Sequence, residues 1–309
     1  MLYLLASILL MSALAVSLRW AVGRGADPHG LNAAYRVTGG LITLAVALPA
    51  LDWSRLAEFW RLAGTGAMIA AVFYWLTGLA SIKAIELGSL GVSWAVIRCS
   101  MIIPGLASLF FWHEVPLSPL SLTLGARVLG MVAVAGALFL LSGGQGRGAA
   151  AATLLTVGRG GSGAPTRAQR RGWLLWLGTA FVGQGAWEVC LRATRSYPDN
   201  QARSFFLLIT FSLAMVLAGV SSAAARVRLG RREVLYGLLA GACALAASSL
   251  RVWALRDVDG IIVFPATTIG VVMLVQLAGF GFWRERPGRR ALAGLALALG
   301  GMVLLTVRL

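Results

Sequence analysis

Two stretches decide the fold: LASLFFWHEVP, residues Leu106–Pro116, and LAGFGFWRERP, residues Leu277–Pro287. Aligned without gaps they agree at Leu, Ala, Phe, Trp, Glu and Pro, six of eleven positions. Apolar helices match easily by chance, but a Trp-x-Glu-x-Pro ending does not. The runs that follow agree again. Gly130 and Gly136 fall on Gly294 and Gly300, and Leu140-Leu141 falls on Leu304-Leu305. The chain therefore reads as an internal duplication.

Outward from these segments, the chain is a series of apolar runs of roughly 20 residues, the length that crosses about 30 Å of hydrocarbon. Ten are expected: 2–22, 32–51, 63–82, 88–111, 120–142, 172–192, 204–224, 234–254, 260–282 and 289–307. The one long gap, 143–171, is rich in Gly, Ala and Arg and reads as a flexible basic linker. It separates a first five-helix repeat, 1–142, from a second, 172–309. Five is odd, so two such repeats enter the membrane from opposite sides. The predicted fold class is an all-α integral membrane protein of ten transmembrane helices, arranged as two inverted five-helix repeats. Secondary transporters use this construction.

Composition agrees. The 309 residues are 59% hydrophobic and only 12% charged. A soluble domain has about 45–50% apolar and about 25% charged residues, so this balance excludes a soluble enzyme or a disordered chain. The net charge of +16 lies mostly in short gaps between apolar runs, and no nucleic-acid signature accompanies it. It reads as loops near anionic lipid, with no nucleic-acid partner. Cys99, Cys190 and Cys243 lie far apart in apolar runs, without a CxxC pair, and read as core residues. The enzyme patterns HExxH, GxSxG and Walker A are absent from the sequence, so neither an enzyme nor a cofactor is expected. The expected location is the inner (plasma) membrane, as a multi-pass protein. Loops after odd-numbered runs carry 15 basic residues and the other side 7, which places both termini outside.

On these motifs the chain resembles the drug/metabolite transporter superfamily, specifically its ten-helix EamA-like transporters. That pattern has a Pro within the fourth helix of each repeat, a short loop carrying Glu, and a Gly-rich fifth helix. Pro104, Glu114, Gly130 and Gly136 match in the first half, and Pro265, Glu285, Gly294 and Gly300 in the second. His113 and Arg284 stand where the family usually has Gly, and the two prolines do not align with each other. The resemblance implies a transporter with a cavity between its halves, both termini in the cytoplasm, and a possible homodimer contact on the fifth and tenth helices. It leaves the substrate open.

An ionisable group in lipid costs about 2.5–3.5 kcal/mol at a helix centre on insertion scales, so those inside the runs are the candidate site. Arg98 is deepest, near the middle of the fourth run, with Trp94 and Gly91 on its face. A cation and an indole on one wall suit an anionic or zwitterionic substrate; a buried salt bridge is the alternative. Gln184, Glu188 and Arg192 form one stripe at four-residue spacing. Glu188 reads either as a proton or substrate site or as the partner of Arg192 one turn on. Tyr74, with packing or an interface anchor as its alternative, and Arg251, which ends the eighth run with Ser248 on its face, are further cavity candidates. Arg36 and Asn32 open the second run and read as interfacial. Pro104 and Pro265 remove backbone hydrogen bonds and read as helix kinks, static or gating.

These residues lead to an expected secondary transporter, exporting a small organic metabolite such as an amino acid or organic anion, with protons as a possible coupling ion. The competing expectation is a non-transporting membrane protein, an assembly factor or a sensor.

Overall fold

Helix starts follow local chemistry. Asp27 caps the second helix by accepting a hydrogen bond from the Gly30 amide at 2.6 Å, and Pro28 occupies the first helical position, where its missing N–H costs nothing. Asp199 caps a later helix the same way, accepting from the Ala202 amide at 2.7 Å. Gly25, at φ +80°, turns the chain out of the first helix, and the Ala26 amide reaches back to the Ala21 carbonyl at 3.0 Å. Glycine adopts that left-handed conformation without a Cβ clash.

The computed structural model describes residues 2–87, 96–112, 122–144, 167–227, 229–283 and 289–306. Its regular structure is helical throughout, with no strand among the described residues. The principal helices are α1 (Leu2–Gly23), α2 (Pro28–Ala47), α3 (Thr65–Leu87), α4 (Ile102–Phe110), α5 (Leu122–Gly144), α6 (Arg167–Ala193), α7 (Asn200–Ala224), α8 (Arg231–Asp257), α9 (Gly260–Trp283) and α10 (Arg289–Thr306). A short helical lead-in, residues 53–64, runs into α3, and a 3-10 turn, Cys99–Met101, precedes α4.

Among the described residues, four segments are long and apolar enough to cross a membrane: Trp53–Ala84, Arg171–Ser196, Asn200–Ala224 and Arg231–Asp257. Leu2–Leu18, Val96–Ser108, Val128–Ala137 and Gly260–Val275 are shorter apolar helices. Large apolar side chains also cover the outside, among them Val46, Leu175, Val220, Leu235 and Val303, each more than half exposed. A water-soluble surface rarely carries apolar cover on that scale.

The helices pack in a regular scheme. The main pairings are α1 with α8 and α9, α2 with α7 and α8, α3 with α6 and α7, α4 with α6 and α9, and α5 with α10. Exchanging each helix with the one five places along maps this set onto itself. The α1–α8 pair becomes α6–α3, α2–α8 becomes α7–α3, and α2–α7, α4–α9 and α5–α10 map onto themselves.

Close approaches are made by small residues. On α8, Gly237 and Gly241 are four apart and face Ala34, Tyr35 and Thr38 of α2. A Cβ on Gly241 would sit 2.5 Å from the Tyr35 carbonyl oxygen and 2.6 Å from Thr38 Cβ. On the α5–α10 pair, a Cβ on Gly301 would lie 3.0 Å from the Gly130 carbonyl oxygen. Gly300 faces open space, so only some of the glycines expected to pack closely do so.

The two prolines sit differently. Pro265 is buried inside the continuous helix α9. Pro104 falls in the first turn of α4, directly after the 3-10 turn. Proline clashes with the carbonyl four residues back, here Ser100, and the backbone tightens at that point.

Candidate functional site

The centre of the polar interior is an ion pair between α8 and α6. Arg251 Nη1 donates to both carboxylate oxygens of Glu188, at 2.6 and 2.7 Å. Gln184, one turn earlier on α6, donates its amide to Glu188 Oε1 at 3.0 Å. Glu188 is 7% and Arg251 3% exposed, so the pair is closed from solvent. Low dielectric strengthens the attraction but adds a desolvation cost of several kcal/mol per ion. The bonds to both oxygens offset part of that cost.

Helix α3 lays an aromatic wall beside the pair. The Tyr74 ring lies 5.0 Å from Trp187 of α6 and 5.3 Å from Phe211 of α7, centroid to centroid. Trp187 stacks in turn on Phe206. Arg98 immediately precedes the Cys99–Met101 turn, which packs on α6. The predicted residues Glu188, Gln184, Tyr74 and Arg251 share one region, drawn from both halves of the chain, with Arg98 at the start of a segment packed on the same helix. Trp94 and its neighbour Gly91 lie outside the described residues.

Two expectations about partners change. Arg192 is on the Glu188 stripe by spacing, yet its guanidinium carbon sits 4.7 Å over the Trp112 ring, and its stem runs beside Gly260 at the start of α9. Glu188 pairs instead with Arg251, 63 residues away. Helical spacing places two side chains on one face, but the neighbouring helix decides where each one turns.

Arg36 is the second change. It is 3% exposed, packed within the protein. Helix α2 starts at Pro28, four residues before the expected run, and this moves Arg36 from the mouth of the helix to its middle. Its guanidinium carbon lies 3.9 Å from the Tyr74 centroid and 4.9 Å from that of Tyr35. Nε and Nη1 are buried and find no hydrogen-bond acceptor. Cation–π contact is worth about 2 kcal/mol when desolvated. That is less than the several kcal/mol needed to bury a guanidinium. The Asp27-Pro28 start signal was legible in the sequence and would have located this residue.

Two surface cavities lie away from this cluster. One, of about 570 Å³, is bordered by Arg24, Arg232, Leu235 and Tyr236. The other, an apolar groove of about 600 Å³, runs between Leu44, Trp53, Trp60 and Phe205. Arg36, Glu188 and Arg251 are each buried, whereas Arg98, Gln184 and Tyr74 are partly exposed.

No family model matches the chain, and no curated protein matches it. Among solved structures, one described only as "Crystal structure of protein" superimposes with a TM-score of 0.67 at 19% identity. The match covers 99% of this chain and 95% of that one. At this identity the likeness shows a shared fold over nearly the whole length and nothing of function.

Proposed function

We propose that the chain is a multi-pass secondary transporter of the EamA-like type, moving a small organic metabolite across the inner membrane. In this reading the helices α1 to α10 are ten spans, and the halves 1–142 and 172–309 are inverted repeats. The helix packing that survives a five-place exchange supports the duplication read from the Trp-x-Glu-x-Pro pair. One observation carries the functional reading: a buried, charged cluster lies where helices of both halves meet. Intramembrane charges are costly and mark substrate or ion pathways. Two pseudo-equivalent halves exchange inward-open and outward-open shapes by rocking about such a site.

Within the site, Glu188 is the candidate coupling group. Protonating it would release Arg251, and a free guanidinium would then be available to an anionic substrate. The α5–α10 packing is internal to one chain, and a homodimer on their outer faces belongs to the same proposal.

The test is reconstitution of the purified chain in liposomes loaded with a cellular metabolite extract. Mass spectrometry then reads which small molecules leave in a protein-dependent manner. Specific efflux that Glu188→Gln abolishes is expected. Absence of any protein-dependent flux in either direction would sink the transport reading.

A further inference from the structure

We infer that Arg36 is the carboxylate-binding residue of this site, and that the molecule it receives is an organic acid whose apolar body lies on the Tyr74–Trp187–Phe211 wall. The inference rests on the reading of the central cluster as a substrate site. It assigns that site a ligand chemistry and a residue outside the original candidate set.

Four observations carry it. First, Arg36 is buried at mid-helix, with Nε and Nη1 directed at no acceptor. Second, its guanidinium carbon lies over the Tyr74 ring, 3.9 Å from the centroid. A cation over a ring face keeps its N–H groups as hydrogen-bond donors. Third, the carboxylate in the cluster is already engaged. Glu188 accepts from Arg251 twice and from Gln184 once, so it does not neutralise Arg36. Fourth, the opposing surface is cut away for the guanidinium. Arg36 Nη2 and Nε lie where a side chain on Gly78 of α3 would begin, beside Asn32 Oδ1. Nearby, the buried Thr77 hydroxyl also has no hydrogen-bond partner.

Two guanidinium donors without acceptors, Nε and Nη1, match a carboxylate, the acceptor with which a guanidinium forms its strongest hydrogen bonds. The Arg36 cation calls for a negative charge, and the aromatic wall favours an apolar remainder. A carboxylate on an apolar body fits both requirements.

The experiment uses the full chain in detergent. Thermal unfolding is followed with acetate, succinate, 3-phenylpropionate and the neutral 3-phenylpropanamide. The wild type is expected to be stabilised by 3-phenylpropionate and not by its amide. Arg36→Met is expected to weaken the acid's binding by about 10-fold to 100-fold, the scale of a charged hydrogen bond. Ligand-free R36M is expected to melt no lower than the wild type, since an uncompensated charge has been removed. A purely bracing Arg36 predicts a lower melting point instead. Gly78→Ala keeps the charge but displaces the guanidinium, so it should weaken the acid similarly even if R36M does not fold. Equal responses of wild type and variants, equal responses to acid and amide, or no response to any of the acids overturn the assignment. Acid binding without liposome flux would leave this site standing and remove the transport reading. Flux of a neutral solute without acid binding would do the reverse.

Discussion

Arg251 and Glu188 are 63 residues apart and form one buried ion pair, with Arg251 Nη1 at 2.6 and 2.7 Å from the two carboxylate oxygens. The pair ties α8 to α6 across the interior. Removing one partner leaves the other charge uncompensated. Glu188→Ala should therefore lower stability by about 3–5 kcal/mol, whereas the paired replacement Glu188→Leu with Arg251→Met should recover most of it. Chemical denaturation of the purified variants in one detergent measures both. A double variant no better than the single would show that the pair holds more than its own charges.

The contact of α2 with α8 depends on the absence of a side chain. A Cβ at Gly241 would lie 2.5 Å from the Tyr35 carbonyl oxygen and 2.9 Å from the Gly39 amide nitrogen, both rigid backbone atoms. Gly241→Ala should destabilise by about 1–3 kcal/mol, the usual cost of overpacking. Gly219, with nothing near its Cβ position, supplies the control, since Gly219→Ala in a helix interior should stabilise slightly. A lower melting temperature for the first and an unchanged or higher one for the second is the expected outcome.

The start of α7 should respond to acid. Asp199 has a carboxyl held below the usual Asp value, first by the Ala202 amide it caps and also by the Arg55 guanidinium 2.8 Å away. A depressed folded-state value means the cap contributes fully above the unfolded value near 3.8 and is lost as pH falls through the lower folded value. Asp199→Ala should cost about 1 kcal/mol at neutral pH and correspondingly less in strong acid. Melting temperatures of wild type and variant should converge as pH drops below about 4.

Arg195 and Asp259 supply a contrast. They pair at 3.0 Å with side chains about 30% exposed, at the ends of helices α6 and α9. Screened pairs of this kind are worth about 0–1 kcal/mol. Asp259→Asn should leave the melting temperature nearly unchanged and, unlike Glu188→Gln, should leave flux intact in the liposome assay.

The helical class was legible because lipid imposes a simple rule: backbone groups must bond within each segment, so long apolar runs become helices. The duplicated Trp-x-Glu-x-Pro endings also pointed to a repeat before any packing was known. The polar stripe Gln184–Glu188 was visible from its spacing, and these two residues do meet at 3.0 Å. A run read from residue 32 puts Arg36 near the mouth of its helix, whereas the Asp27-Pro28 cap starts the helix at 28 and puts Arg36 at its middle.

By itself, then, the sequence determined where the chain is apolar, that it is helical, and that Glu188 and Arg251 are candidate interior charges, both of which are buried. These are local properties, set by each residue and its nearest turn. Partnership between helices was decided by the tertiary structure alone. Glu188 has Arg192 one turn away and still bonds to Arg251 on another helix. Arg36 has Tyr35 beside it in sequence and lies closer to Tyr74 of α3. The reason is geometric. A side chain's direction is fixed by which helix face meets which neighbour, and that depends on packing between segments far apart in the chain.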